Sequence, residues 1–295
     1  MPQQSGSPPL DRWTGTDQDT PPRRWRTVRY WTSLRGRPDA RGELDLDARR
    51  ARWASGAPAP LVSCLMATRD RPGFAARAVR CFLAQTHAPA ELVVVDDGTD
   101  DTLARHLRTL ADPRIRYHRT PRPGLALGEL RNLAVDLAAG PYVCQWDDDD
   151  VYDPERLEVQ LAAVAGAGAD ACFLARERLW WPARRALALS GARVWENSVL
   201  CATETMPRYP ALRRGEDSAV TLEVVRAGLV VAVDAPELYT YVCHGANTCD
   251  AAHLARLFEV ATRRWTDGAY DERTRAMAAR LPLATADLPQ PRSAP

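Results

Sequence analysis

The sequence predicts an α/β fold with a mostly parallel, Rossmann-like sheet and helices on both of its faces. From Pro60 onward, short apolar runs alternate with segments whose apolar residues recur at helical spacing, as in repeated β-α-β units. Two of the apolar runs end in aspartates, at Asp96-Asp97 and at Asp147 to Asp150. The composition, 45% hydrophobic and 26% charged over 295 residues, is that of a soluble globular protein with a large core.

The predicted strands are apolar runs bounded by turn residues, and the predicted helices carry apolar side chains on one face. In the first helix that face comprises Phe74, Ala78, Cys81 and Phe82, and Gly140-Pro141 ends the third helix. The predicted strands are 61–66, 92–95, 115–117, 142–146, 169–174, 230–233 and 238–242. The predicted helices are 73–86, 102–110, 127–139, 155–165 and 218–227.

The remaining chain predicts one domain with an N-terminal extension. Residues 1–22 are typical of a disordered tail, and 23–58 of a segment that packs on the domain at 59–250. Residues 251–295 predict a helical segment that ends in a loose tail, and 175–212 predict loops and short elements over a pocket. The extension contains four of the nine tryptophans, which could instead stack on nucleic-acid bases: Trp13, Trp25, Trp31 and Trp53.

Charge and composition exclude several classes of function. The net charge of +1 predicts neither a nucleic-acid partner nor an anionic membrane surface. No run approaches the roughly 20 apolar residues of a membrane span, and the N-terminus lacks a secretory pattern, so we expect a cytoplasmic protein. All 39 basic residues are arginine, which excludes Schiff-base and P-loop lysines. The seven cysteines contain no C-x-x-C pair, which argues against a structural zinc site.

Asp147 to Asp150 directly follow the apolar run 142–146. Four carboxylates cannot continue into a core, because unpaired buried charge is very costly. A hard divalent cation with oxygen ligands relieves the repulsion among crowded acids, so the sequence favours a Mg²⁺ or Mn²⁺ site at this strand end. The alternative is an acidic turn in which Asp153 or a neighbour caps the helix that begins near Pro154.

Together, these motifs resemble the family 2 glycosyltransferases, which have the GT-A fold. The resemblance covers roughly residues 60–250 and depends on an ordered set of short motifs. The turn 67–71 departs from the family's Pro-Thr-Tyr-Asn-Arg at Ala67, Arg69 and Asp70. The other matching motifs are 83–86, 91–101, Arg131-Asn132, 147–150, Gly215-Glu216-Asp217 and His244.

The resemblance implies residues that bind the nucleotide sugar. It assigns the turn at Thr68 and Asp70, together with Asp97, to the base and ribose, although Asp97 could simply form the turn before Gly98. It also places Arg131 near the site, in the helix before the acidic strand end. Asp147 and Asp148 are assigned to the nucleotide sugar as well.

The resemblance also implies a metal and a base. Asp149 is the expected ligand of Mg²⁺ or Mn²⁺, although both Asp147/Asp149 and Asp148/Asp150 have D-x-D spacing. His244 is expected to bind the metal or steady the diphosphate, and the alternative for it is a structural role. Asp217 is the expected general base, since a sugar hydroxyl must lose its proton as it attacks, and the alternative is a helix cap.

The implied activity is an inverting, metal-dependent, hexosyltransferase-type transfer from a nucleotide sugar, expected to be a UDP-sugar. The acceptor, whether saccharide, lipid-linked or peptide, is not predicted. A haloacid dehalogenase-like phosphatase is an alternative, because Asp147, Asp149 and Val151 match its D-x-D-x-V motif. That motif normally lies on the first strand, and the family generally uses a lysine. A non-catalytic nucleotide-sugar-binding protein is the third possibility.

Overall fold

A computed structural model of the chain describes residues 26–54, 58–284 and 287. The predictions for residues 1–22, for Trp13 and Trp25 and for most of the C-terminal tail lie outside these residues, as does the side chain of Trp53.

The described residues form fourteen strands and eight α-helices. The strands are Thr27–Leu34 (β1), Arg37–Asp45 (β2), Val62–Thr68 (β3), Ala90–Asp96 (β4), Ile115–Arg119 (β5), Tyr142–Gln145 (β6), Val151–Tyr152 (β7), Ala171–Leu174 (β8), Arg178–Trp181 (β9), Ala186–Leu189 (β10), Trp195–Ala202 (β11), Leu229–Val233 (β12), Tyr239–Val242 (β13) and Arg263–Trp265 (β14). The helices are Leu46–Ala54 (α1), Pro72–Leu83 (α2), Thr102–Leu110 (α3), Leu127–Leu137 (α4), Arg156–Ala167 (α5), Glu216–Ala227 (α6), Ala251–Glu259 (α7) and Asp267–Ala278 (α8). Within the part of the chain that the structure describes, no helix is long and apolar enough to cross a bilayer.

The main sheet has nine strands in the order β2-β1-β12-β8-β11-β6-β3-β4-β5. Strands β6, β3, β4 and β5 are parallel neighbours, which confirms the predicted parallel α/β core. Their carboxyl ends meet at one edge of the sheet, which is where ligands bind in such folds. The acidic residues after β4 and β6 therefore lie on the same side of the molecule.

Strand β11 was missed, because the sequence predicted only loops and short elements over 175–212. It lies antiparallel between β6 and β8, in the middle of the sheet. Its pairing register with β8 shifts between Trp195 and Leu200. In this interval the Ser198 side chain makes hydrogen bonds to the backbone. The Ser198 hydroxyl donates to the Trp195 carbonyl and accepts from the Leu174 N–H at 2.8 Å. The polar start of β11 conceals the strand from a search for apolar runs.

A second sheet, in the order β14-β10-β9-β13-β7, lies beside the carboxyl end of β6. Strand β7 directly follows the acidic residues and pairs with β13, with Tyr152 opposite Tyr239. The chain therefore leaves the main sheet, makes the acidic turn and enters the second sheet within a few residues. This brings the segment after β13, which includes His244, alongside the acidic turn.

Residues 27–45 form a β-hairpin that extends the main sheet through β1, which pairs antiparallel with β12. Val28 and Leu46 are buried in the main core. Arg50 of α1 forms ion pairs with Glu155 and Glu158 at the start of α5. Strand β2 is an exposed edge strand rich in charged residues, which discourages pairing with another chain.

The buried side chain of Arg156 fixes the start of α5 behind the acidic turn. Its guanidinium carbon lies 5.2 Å from the ring centroid of Trp146, 4.6 Å from that of Tyr152 and 4.8 Å from that of Tyr239. It donates hydrogen bonds to the Gln145 carbonyl and to Gln160 Oε1, both at 3.0 Å. The faces of the three aromatic rings therefore stabilise the positive charge of Arg156. Among the described residues, no carboxylate forms an ion pair with it. Arg156 thereby links β6, β7 and β13.

The tight approach of α4 to the segment before α6 gives a test of the packing. A Cβ built on Gly128 would lie 1.9 Å from the Pro210 carbonyl oxygen, whereas one on Gly73 of α2 would meet nothing within 4 Å. Gly128→Ala should lower the free energy of unfolding by about 1–3 kcal/mol, as overpacking does. Gly73→Ala should raise it by about 0.4–1 kcal/mol. Urea unfolding followed by circular dichroism measures both, and shifts in the same direction would contradict this packing.

Candidate active site

A pocket of about 480 Å³ opens at the carboxyl edge of the parallel strands. The end of β3, the acidic turn after β6 and the start of α6 form three of its walls. The fourth wall comes from the start of β11 and from the segment between β13 and α7. Of the residues predicted for the site, six line it: Thr68, Arg131, Asp147, Asp148, Asp149 and Asp217.

Asp148 and Asp150 of the acidic turn are buried and bound to protein groups. Asp148 accepts a hydrogen bond from Thr68 Oγ1 at 2.6 Å. Asp150 accepts from the Tyr239 hydroxyl at 2.6 Å and from the Val242 N–H at 2.8 Å. Burial and the neighbouring carboxylate of Asp149 raise the pKa of Asp148 to about 7. These two carboxylates join the turn to β3 and β13.

Asp149 is partly exposed to the pocket, and a guanidinium and an imidazole face its Oδ2 atom. Arg71 Nη1 lies 3.0 Å away and His244 Nε2 lies 2.9 Å away. Burial alone raises the pKa of Asp149, but the hydrogen bond from His244 and the nearby positive charges outweigh it, so the pKa is lowered. Asp149 is therefore held as an anion at neutral pH.

His244 is fixed by its surroundings at the end of β13. Its ring lies 4.2 Å from the ring of Phe74, and its Nδ1 accepts from the Ala246 N–H at 3.2 Å. Arg71 reaches the same segment, since its Nη2 donates to the Ala246 carbonyl at 2.9 Å. Asp149, Arg71 and His244 thus form one cluster that joins α2, the acidic turn and the segment after β13.

Asp147 connects the acidic turn to α6 through Arg131. Arg131 Nη2 lies 3.0 Å from Asp147 Oδ1, and Arg131 Nε lies 3.0 Å from Glu216 Oε1. The Tyr239 hydroxyl oxygen also lies 3.1 Å from Asp147 Oδ2. Burial raises the pKa of Asp147, and the charge of Arg131 opposes this effect. Glu216 is buried in this ion pair, whereas the neighbouring Asp217 faces the pocket.

Asp217 lies in the first turn of α6, after Gly215, whose φ of +78° is in the left-handed region. Its side chain is half-buried, and its Oδ1 accepts from the Ser218 N–H at 2.8 Å. The other carboxylate oxygen makes no hydrogen bond with the described residues. Asp217 therefore lies on the α6 wall of the pocket, separate from the acidic turn that contains Asp149.

Asp70 and Asp97, both predicted to contact the nucleotide, are not among the residues that line the pocket. Asp70 has a φ of 50°, and its Oδ1 accepts from the N–H groups of Thr99 at 2.6 Å and Asp100 at 3.0 Å. The Asp97 side chain is fully buried and accepts from Thr120 Oγ1 at 2.7 Å and from the Gly124 N–H at 2.8 Å. In this structure, both carboxylates hold loops at the ends of β3 and β4.

The sequence reasoning missed the arginines that face these acids. Arg69 pairs with Asp97, and Arg71 pairs with Asp149. Both lie in the turn 67–71, where Arg69 was noted only as a departure from the family pattern. The sequence does contain a signal for these ion pairs. Two arginines lie in a turn at the end of one parallel strand, and two other strands end in aspartates. The segment at the start of β11, within the 175–212 range expected to cover a pocket, also contributes lining residues that were not named for the site: Arg193, Trp195, Glu196 and Asn197.

Part of the chain, residues 63–184, is similar to a known protein family. The family model described as Glycosyl transferase family 2 matches residues 63–184. The Escherichia coli K12 protein WcaA, named as a candidate colanic acid biosynthesis glycosyl transferase, is 39% identical over 106 residues. The Rhizobium meliloti succinoglycan biosynthesis protein ExoO is 31% identical over 110 residues. These alignments cover 35% and 37% of this chain, and 37% and 31% of the two relatives, so the chain spans about a third of their length.

Solved structures share the fold. The Staphylococcus aureus TarS 1–349 structure in complex with UDP-GlcNAc aligns with a TM-score of 0.54 at 17% identity, over 66% of this chain and 60% of that one. The Pyrobaculum calidifontis mannosyltransferase PcManGT, in complex with GDP-Man and Mn²⁺, aligns with a TM-score of 0.53 at 17% identity, over 70% of this chain and 65% of that one. Identities this low establish the fold alone. Together with the family match over residues 63–184, they show that the chain has a GT-A type fold and that this segment is similar to family 2 glycosyltransferases.

Proposed function

We propose that this protein transfers a sugar from a nucleotide-sugar donor to an acceptor hydroxyl, with inversion and with the help of a divalent cation. The observation that carries the proposal is that Asp149 and Asp217 line one pocket from different walls. One carboxylate is thereby available to the leaving diphosphate and another to the attacking hydroxyl. The family of residues 63–184 and the nucleotide-sugar complexes of the two fold relatives support this assignment.

The chemistry around Asp149 fits Mg²⁺ or Mn²⁺. No group of three His, Cys, Asp or Glu side chains within the described residues forms a complete metal site. Mg²⁺, however, is commonly held by one or two carboxylates together with substrate phosphates and water. Asp149 would supply the carboxylate. His244 Nε2 lies beside the same oxygen and would supply a nitrogen ligand in the tautomer with its proton on Nδ1, which gives up the hydrogen bond from the Ala246 N–H. When bound, the cation neutralises negative charge on the departing nucleoside diphosphate.

Arg71 has a complementary role in this proposal. It pairs with Asp149 at 3.0 Å, and its side chain is 31% exposed. If Arg71 were released from Asp149, its guanidinium would be free to donate hydrogen bonds to a diphosphate oxygen. Arginine suits this task because its planar donors match phosphate geometry. Arg131 does not move in this scheme, because Asp147 and Glu216 hold it on both sides.

Asp217 would accept the proton of the acceptor hydroxyl. Glu216 anchors the first turn of α6 through Arg131, which orients Asp217 towards the pocket. One carboxylate on the face opposite the leaving group suffices for a single displacement, and a single displacement inverts the anomeric carbon. The acceptor would approach between Asp217 and the wall formed by the start of β11.

Two alternatives remain to be separated by experiment. A haloacid dehalogenase-like phosphatase would release inorganic phosphate, and the family match of residues 63–184 opposes it. A non-catalytic nucleotide-sugar-binding protein would bind the donor without turnover. Assaying release of the free nucleoside diphosphate from a panel of UDP- and GDP-sugars, with and without Mn²⁺, tests the proposal. Metal-dependent release supports it, and donor binding without any release would favour the non-catalytic reading.

The first prediction from this site is metal-dependent nucleotide binding. With Mn²⁺ present, UDP or GDP at about 100 times its Kd should stabilise the protein by about 2.7 kcal/mol. Thermal unfolding should show this shift, which chelator should remove. Asp149→Ala should abolish the metal-dependent part, because the carboxylate that holds the cation is gone. Asp136→Ala removes an exposed carboxylate on α4 and serves as the control. Equal stabilisation in excess chelator would contradict the role of Asp149.

The second prediction concerns Asp217. Asp217→Asn keeps the size of the side chain but cannot accept a proton, so kcat should fall by roughly 10²–10⁴-fold while donor binding is unchanged. Glu223→Gln, an exposed substitution on the same helix, should leave kcat unchanged. Proton NMR of the product should show the anomeric configuration opposite to that of the donor. Retained configuration, or near-normal turnover of Asp217→Asn, would remove Asp217 from the mechanism.

A further inference from the structure

Glu177 is a buried carboxyl group that the proposed chemistry does not use. It lies in the short link between β8 and β9, where the chain passes from the main sheet to the second sheet. Its backbone N–H donates to Ser190 Oγ at 2.9 Å, and its carbonyl accepts from the Ser190 N–H at 3.0 Å. The side chain is fully buried and forms no ion pair with the residues that the structure describes. The fold therefore holds a carboxyl group in a fixed place inside the protein.

Only one oxygen of this carboxyl group has a partner. Oε2 accepts a hydrogen bond from Asn197 Nδ2 at 3.2 Å, whereas Oε1 is buried and makes no hydrogen bond with the described residues. Burial raises the pKa of Glu177 to about 8, although the hydrogen bond from Asn197 and nearby arginines oppose this effect. A buried polar group that lacks partners calls for an explanation. Its single contact directs attention to Asn197.

Asn197 connects Glu177 with the pocket. It belongs to β11, is 8% exposed and lines the pocket. It stands in the interval between Trp195 and Leu200 where the pairing register with β8 shifts. Gln160 Nε2 donates to the Ser198 carbonyl at 2.7 Å, which holds this interval in place. Irregularities of this kind re-aim a side chain and are common next to active sites.

The Asn197 amide has an acceptor that the protein does not use. Its Nδ2 donates to Glu177, which orients the amide, and its Oδ1 accepts no hydrogen bond within the described ranges and is accessible to solvent. The charged neighbours on the same wall, Arg193 and Glu196, lie 3.3 Å apart and pair with each other. Asn197 is therefore the neutral polar group of this wall. An oriented amide oxygen is suited to accept a hydrogen bond from a hydroxyl.

We propose that Asn197 is a specificity-determining residue for the acceptor, and that its Oδ1 atom accepts a hydrogen bond from a hydroxyl other than the one that attacks. Glu177 is the positioning residue that fixes the amide. This inference rests on the proposed function, in which the acceptor approaches between Asp217 and the start of β11. The acceptor is then a saccharide, which carries neighbouring hydroxyls, and not a peptide side chain with a single hydroxyl. Asn197 orients the acceptor, and Asp217 takes its proton.

Release of the nucleoside diphosphate, with Mn²⁺ and a nucleotide sugar that the protein turns over, tests the acceptor class. The acceptor probes are the methyl glycosides of glucose, galactose and mannose, with N-acetylserinamide and propanol as compounds that carry one hydroxyl. At least one glycoside should accelerate release above the rate in water, and neither single-hydroxyl compound should match it at equal concentration. A single-hydroxyl compound that performs as well, or no acceleration by any glycoside, would overturn the assignment.

Variants at the two positions test the roles of Asn197 and Glu177. Asn197→Ala should raise the KM of the best glycoside roughly 3–10-fold, as the loss of one hydrogen bond predicts, and leave release into water unchanged. Glu177→Met should have the same effect, whereas Glu177→Gln keeps an oxygen for the Asn197 amide and should leave this KM unchanged. The double variant of Asn197→Ala and Glu177→Met should be no worse than Asn197→Ala alone, because Glu177 acts through Asn197. Glu204→Met and Glu204→Gln, at an exposed position after β11, are the matched controls.

Nitrogen–proton correlation NMR tests the contact between the two side chains even if Glu177→Met does not fold. The side-chain amide signals of Asn197, assigned by their absence in Asn197→Ala, should move in Glu177→Gln. Signals that stay in place would overturn the positioning role of Glu177.

The kinetic results distinguish this inference from the proposed function. An unchanged KM for the glycoside in Asn197→Ala would overturn the role of Asn197 and leave the transferase activity in place. A raised KM for the nucleotide sugar in its stead would assign Asn197 to the transferred sugar and also overturn the inference. No release from any nucleotide sugar, with or without a glycoside, would overturn the proposed function and this inference with it.

Discussion

The repulsion among four consecutive carboxylates at the end of a buried strand is the constraint on which the rest of this structure depends. Each carboxylate of the acidic turn is bound by groups from other parts of the chain. Thr68 of β3 binds Asp148, and Tyr239 and Val242 of β13 bind Asp150. The charged partners contact the other two: Arg131 lies beside Asp147, and Arg71 and His244 lie beside Asp149. Satisfying these charges brings α2, α4, β3 and the second sheet together.

All four carboxylates line the pocket, but they differ in exposure and in contacts. Asp148 and Asp150 are buried and bind β3 and β13, whereas Asp147 and Asp149 are partly exposed. Arg156, caged by three aromatic rings, holds the backbone behind the turn through the Gln145 carbonyl. The proposed chemistry therefore acts through side chains that protein contacts orient before a ligand arrives, which is how a preorganised site lowers a barrier. Because the chain has no lysine, arginine supplies every fixed cation in the pocket.

The parallel core and its acidic edge could be predicted from the sequence, because buried parallel strands appear as uninterrupted apolar runs. Strands β3, β4, β6 and β8 and the helices between them were found in this way. Strand β11 could not be found, because Ser198 and a register shift interrupt its apolar pattern, and the hairpin β1–β2 could not, because its outer strand is exposed and charged. Of the site, the motifs located Asp149 and Asp217 on the pocket. They could not reveal that Asp97 is covered by Arg69, since that pairing depends on contacts distant in sequence.

A crystal structure of the protein with Mn²⁺ and a nucleoside diphosphate, with anomalous data collected for manganese, tests the central claim most directly. The account predicts one anomalous peak beside the Asp149 carboxylate and in contact with the diphosphate, with Arg71 moved from Asp149 to a phosphate oxygen. A nucleotide bound in the pocket with no manganese at Asp149, and with Arg71 and His244 still paired to it, would contradict the account.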